Sequence, residues 1–240
     1  MSVLQEWKKM KRTGFSPAFL CGGALSAAVP LLNMALRPEN YLSLAAPPVQ
    51  ILLEANWQMM AMFNVLLIAA GACLLYHTEY ADGAMQRMRA LPLRESGLFF
   101  GKAALLALMC LVILGIEAAG VAFCSYRWFA LSGAVWTEIM RSFGYALLLS
   151  LPAALASLLI ASACQSMWNS LGLCVVCVFT ATILPAESFG LSLFPFALPF
   201  QIFPGTAEST VRRFLLAAPA EILILGGAEL LFLKLRRSFA

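Results

Sequence analysis

Histidine is almost missing from this chain: His77 is its only one in 240 residues. That scarcity removes several chemistries at once. A rhomboid-like membrane protease needs a serine and a histidine inside the bundle, and glutamate-type membrane proteases use carboxylates with intramembrane histidines to activate water. His77 falls at the end of an apolar run and serves neither. Zinc and redox readings fail for a similar reason, because Cys174 and Cys177 form a CxxC that no second pair and no nearby histidine joins. All seven cysteines (Cys21, Cys73, Cys110, Cys124, Cys164, Cys174 and Cys177) lie in apolar runs and read as small packing residues. A phosphate loop is missing too. GLFFGK, from Gly97 to Lys102, has three residues between its glycines where a P-loop has four, and Ala103 follows the lysine in place of Ser or Thr. The chain reads as no enzyme and as holding no cofactor of its own.

Charge is equally scarce. Only 12% of residues are charged and 62% are hydrophobic, against roughly 45–50% apolar in a soluble domain. Continuous apolar runs exclude barrel strands, which alternate over about ten residues. What is present is the helical membrane template, about 20 apolar residues for a hydrocarbon core of about 30 Å. It fits six times, at about Phe15 to Leu36, Asn56 to Tyr76, Leu98 to Tyr126, Ser142 to Ala163, Trp168 to Ala186 and Phe214 to Leu235. The expected fold class is an all-α polytopic membrane protein, with residues 1–240 forming a single transmembrane domain. The first run follows a basic start and contains the small-residue stretch ALSAAVP, as in a signal peptide, but its length and the five later spans favour an uncleaved helix.

Lys and Arg near the span ends set the orientation. With the N-terminus inside, the cytoplasmic segments hold Lys8, Lys9, Lys11, Arg12, Arg87, Arg89, Arg94, Lys102, Lys234, Arg236 and Arg237, and the outer ones Arg37, Arg127, Arg141, Arg212 and Arg213. Eleven against five places both termini in the cytoplasm. The formal charge of +4 follows from this asymmetry and implies no nucleic-acid partner.

Before the first span, Val3, Leu4, Trp7 and Met10 are apolar while Gln5, Lys8, Lys9, Lys11 and Arg12 are polar. Spacings of three and four predict an interfacial helix with Trp7 at the headgroups. Gly22 with Ser26, Gly97 with Gly101, and Ala153 with Ser157 and Ala161 are small residues four apart that predict close helix packing. Between the fifth and sixth spans, Pro185, Pro195, Pro199 and Pro204 interrupt an apolar stretch and forbid one straight helix. Short re-entrant helices held against the bundle are expected there. Pro38, Pro47 and Pro48 predict similar irregularity in the first outer loop.

Three acids fall within the spans: Glu117, Glu221 and Glu229. A charged carboxylate at mid-bilayer costs about 2.5–3.5 kcal/mol, so each needs a partner, water or a proton. A helix restart after Pro219 would put Glu221 in a first turn, where the dipole favours it. Glu229 has Lys234 within reach. Glu117 is deepest, and with Glu229 it is the candidate for a translocation path.

The most informative stretch is the polar island from Glu79 to Lys102, EYADGAMQRMRALPLRESGLFFGK. Met85, Met88 and Leu91 recur every three residues beside Arg87, Arg89 and Arg94, and Pro92 closes the pattern. A short amphipathic helix parallel to the membrane suits it. An acid and a glycine after the second span, then Leu-Pro with a basic residue, then a lysine opening the third, are supplied by Glu79, Gly83, Leu91, Pro92, Arg94 and Lys102. This pattern resembles the permease subunits of type 2 ABC exporters, and the small size resembles their lantibiotic-immunity and bacitracin-resistance branch. The resemblance implies that the island is a coupling helix docked on a separate ATPase subunit, which uses the ATP and Mg. It also implies a second permease subunit, a peptide cargo such as a lantibiotic, and a bacterial cytoplasmic membrane. Two other classes stand beside it: a non-transporting scaffold or sensor that sequesters a peptide, and an ion-coupled secondary transporter using Glu117 and Glu229. The halves show no repeat of the kind that would favour the last.

Overall fold

The computed structural model describes residues 3–11, 13–80, 95–129, 135–164, 166–183 and 188–238. Among them every regular element is a helix. The order is α1 (Val3–Met10), α2 (Phe15–Leu36), α3 (Glu39–Leu42), α4 (Pro48–Tyr80), α5 (Glu95–Trp128), α6 (Val135–Ala163), α7 (Met167–Ile183), α8 (Phe189–Ser192), a 3₁₀ turn (Leu198–Phe200) and α9 (Glu208–Ser238). Five of these, α2, α4, α5, α6 and α9, are long and apolar enough to cross a membrane. The chain is a multi-pass membrane protein. At 17 residues α7, where the fifth of six expected spans lies, is apolar but shorter than those five.

Helix α2 occupies the limits that hydropathy predicts, whereas α4 and α6 start about two turns earlier than their apolar runs. These extra turns mix buried apolar residues, Leu52 and Leu53 of α4 and Val135 and Ile139 of α6, with polar ones. Gln50 Nε2 donates to Glu54 Oε1 at 2.7 Å, one turn along α4, an i,i+4 pair that supports the helix on its exposed side. Glu138 and Arg141 occupy the corresponding turns of α6.

Helix α4 is the centre of the bundle and packs against α2, α5, α6 and α7. Small residues set how near the helices come. A Cβ added to Gly22 of α2 would strike Leu67 of α4. One added to Gly120 of α5 would stand 3.1 Å from the Ala27 Cβ and 3.3 Å from its carbonyl oxygen. Helices α2 and α5 are thus nearly in backbone contact. Ala153, Ser157 and Ala161 of α6 are all buried.

The proline-bearing stretch folds back on the bundle, with α8 and the 3₁₀ turn as its short helices. Phe196, Ala197 and Leu198 are buried, and Trp57 Nε1 of α4 donates to the Pro199 carbonyl at 3.1 Å. Pro185 lies outside the described residues. The expected helix restart before Glu221 does not occur, because α9 runs unbroken from Glu208 and carries Pro219 inside it. Glu221 is therefore mid-helix, without the N-terminal dipole. Helix α9 is the least buried of the five long helices. Its first half is anchored through Val211, Phe214 and Ala218, which pack with Tyr145, Leu149 and Leu198.

Candidate functional site

Residues 81–94 join the end of α4 to the start of α5, and the two helices meet in a buried charge cluster at that neck. Glu79, in the last turn of α4, and Lys102, two turns into α5, are 3% and 1% exposed. The Lys102 Nζ lies 2.8 Å from Glu79 Oε1. Its hydrogen bonds go elsewhere, to Glu6 Oε2 at 3.2 Å and to the Leu75 carbonyl at 3.0 Å. The Tyr76 ring stands 5.3 Å away on the same ammonium.

Glu6 comes from α1, which the sequence presents only as an amphipathic surface helix. Gly101 of α5 makes room for it, since a Cβ there would touch Glu6 Cγ at 3.4 Å. Met10 is buried, and Thr13 Oγ1 donates to the Met10 carbonyl at 2.9 Å where α1 ends. Lys9 completes the cluster, 2.9 Å from Glu6 Oε1 and 3.7 Å from Glu79 Oε1. Two carboxylates therefore meet two ammonium groups. Burial alone would raise the Glu6 pKa, but the Lys102 and Lys9 charges and their hydrogen bonds outweigh it and hold the carboxyl below its ordinary value.

Of the island residues, Gly83, Met85, Arg87, Met88, Arg89, Leu91, Pro92 and Arg94 lie outside the described residues. Their flanks are what the structure brings together: Glu79 and Lys102, the first and last motif positions, are in contact. Glu6 is the residue that sequence reasoning missed. A signal was present, since Glu6 shares the α1 face of Val3 and Met10 at spacings of three and four, and a carboxylate on an apolar face calls for a buried cation.

A second polar group lies deeper. Glu117 of α5 is fully buried at the junction with α2 and α4. Ser26 Oγ donates to its Oε1, and Asn64 Nδ2 donates to its Oε2 at 3.1 Å. Asn64 Oδ1 has no hydrogen-bond partner among the described residues. Asn64 also lines a cavity of about 10 Å³, room for about one water. Nearby in the same helices, Asn33 Nδ2 donates to Asn56 Oδ1. Glu229 of α9 accepts from the Tyr76 hydroxyl at 3.5 Å in place of the anticipated Lys234. It therefore belongs to the neck end, whereas Glu117 lies about 22 Å of helix rise beyond Lys102. The two candidate path residues are not brought together. No group of three metal-ligating side chains occurs among the described residues.

The sequence model of a family described as ABC-2 family transporter protein matches residues 2–181. The chain belongs to that family. The match runs from α1 into α7 and includes the whole neck cluster. The protein is thus a type 2 ABC permease, the membrane component of its transporter, in a family whose permeases typically carry no enzymatic activity. No curated protein and no solved structure gave a match to this ABC-2 permease.

Proposed function

We propose that this permease is the membrane subunit of a bacterial exporter whose separate ATPase, working with ATP and Mg, docks on residues 81–94. In this reading the protein resides in the cytoplasmic membrane with both termini inside, and α1 lies along the inner surface. Helix α7 serves as the fifth of six spans, its 17 residues rising about 26 Å. The segment around α8 and the 3₁₀ turn sits in the outer leaflet, a second permease subunit completes the path, and the cargo is a lantibiotic-type antimicrobial peptide. Glu117 and Glu229 are the proposed path residues. Support for them is that both are buried carboxylates, and that Glu117 accepts from Ser26 and Asn64, neutral donors that a polar cargo group can replace.

The observation that carries the reading is the contact of Glu79 with Lys102 and of Lys102 with Glu6. A docking segment transmits displacement only if its two ends move with the bundle. Here the ends are tied to each other and to α1 by buried charges. Nucleotide-driven closure of the ATPase then moves α1, α4 and α5 as one body, provided the ATPase binds the two permease states differently.

The test is purification of the permease from its native membrane in mild detergent, with mass spectrometry of what accompanies it. An ATP-binding cassette subunit is expected, and cells carrying both chains should tolerate a lantibiotic only while the ATPase site is intact. Recovery without any such subunit, or tolerance that instead follows the ion gradient, sinks the exporter reading.

A further inference from the structure

Between α5, α6 and α9 lies an apolar groove of about 540 Å³. Ala104 and Ala107 of α5, Leu155 of α6, and Gly226, Gly227 and Leu230 of α9 are among its walls. Its small residues do not serve close helix approach, as Gly120 and Ala27 do. A Cβ added to Gly226 or Gly227 meets nothing within 4 Å. The helices stand apart here, and the space is far larger than the voids a packed protein leaves empty. Its walls belong to membrane-spanning helices, so the filler must be apolar.

The charge at one end of the groove selects the filler. Groove residues of α9 recur at 222/223, 226/227 and 230, and the same face reaches Lys234 one turn later. Lys234 is exposed, and among the described residues no carboxylate pairs with it. It lies at the neck end of α9, beyond Glu229 and its contact with Tyr76. An apolar slot ending in a free interfacial cation matches a molecule with a hydrocarbon chain and an anionic head.

We propose that this groove binds one acyl chain of an anionic phospholipid from the leaflet on the neck side, with the lipid phosphate on Lys234. The site is independent of cargo and of the ATPase, so it stands or falls separately from the exporter reading.

The experiment uses the full chain with whatever subunits accompany it, reconstituted in vesicles of phosphatidylcholine and phosphatidylglycerol, re-extracted in mild detergent and assayed by mass spectrometry for retained lipid. The wild type is expected to retain phosphatidylglycerol through the exchange. Gly226→Leu and Ala104→Leu, which fill the groove, are expected to lose it. Lys234→Gln is expected to keep an acyl chain while its preference for phosphatidylglycerol falls about fivefold, the worth of one interfacial cation. Thermal melting and size exclusion report folding, and if Gly226→Leu fails to fold, Ala104→Leu and Lys234→Gln decide. Unchanged lipid retention in a folded groove-filling variant overturns the proposal. So does a groove-filling variant that dissociates a permease dimer without changing lipid retention, which would assign the groove to a second copy. Unchanged headgroup preference in Lys234→Gln overturns the role of the cation.

Discussion

Lys102 stands 2.8 Å from Glu79, and the two residues close the ends of the segment that joins α4 to α5. Such a buried contact is costly to break from one side only. The remaining partners stay buried with unbalanced charge, which is worse than having no charges at all.

Lys102→Met should therefore destabilise the permease by about 3–5 kcal/mol. Glu6→Gln and Glu79→Gln added to it should recover most of that loss, because the triple variant leaves no unpaired buried charge. Thermal or denaturant unfolding in detergent measures both. A triple variant no more stable than Lys102→Met would show that packing, and not charge balance, dominates the neck.

The lowered pKa of Glu6 gives the docking of α1 a pH dependence of definite sign. Its stabilising contribution is fully present above the ordinary carboxyl value of 4.5 and is lost as pH falls through the lower folded value. Amide exchange of α1 should stay protected from neutral pH down to that region and then accelerate. Glu6→Gln should remove this step, so the comparison separates Glu6 from other carboxylates.

If residues 81–94 form the proposed docking helix, Met88→Asp places a charge among its apolar positions. In a complex reconstituted with this variant the ATPase should still hydrolyse ATP while export falls. Export per ATP equal to the wild type would return the segment to an ordinary loop.

Glu117→Gln should fold normally and transport poorly. Rotation of the Asn64 amide would turn its unbonded Oδ1 toward the new Gln amide, so the three-helix junction can be satisfied without a carboxylate. Parallel melting and transport assays check both halves, and wild-type transport would reduce Glu117 to helix packing.

Legibility from sequence followed the range of the interactions. Helix α2 was readable to its ends because its apolar run and its helix coincide. The first turns of α4 and α6 were not, since Gln50 and Glu54, and Glu138 and Arg141, interrupt their apolar residues and end the continuous run. The unbroken course of α9 was hidden by Pro219, which breaks soluble helices but is tolerated where neighbouring helices support the backbone. At the neck, Glu79 and Lys102 were legible as motif positions, yet the contact of Lys102 with Glu6 was not, because that partner comes from a distant helix. Ser26 had been readable only as a small residue, and Asn64 only as one polar residue in an apolar run. Their shared hold on Glu117 exists only once three helices meet.

The groove beside α9 also says something about how that helix is carried. Val211, Phe214 and Ala218 fix it at one end, and Glu229 fixes it to Tyr76 near the other. Between these two points Leu225 packs on the main core, and Pro219, next to the first anchor, is the helix's weakest joint, where one backbone hydrogen bond is missing. The helix thus leans on the bundle with one side and overhangs the groove with the other. Cutting the Glu229 contact would loosen that end and leave Leu225 and the first anchor to carry the helix.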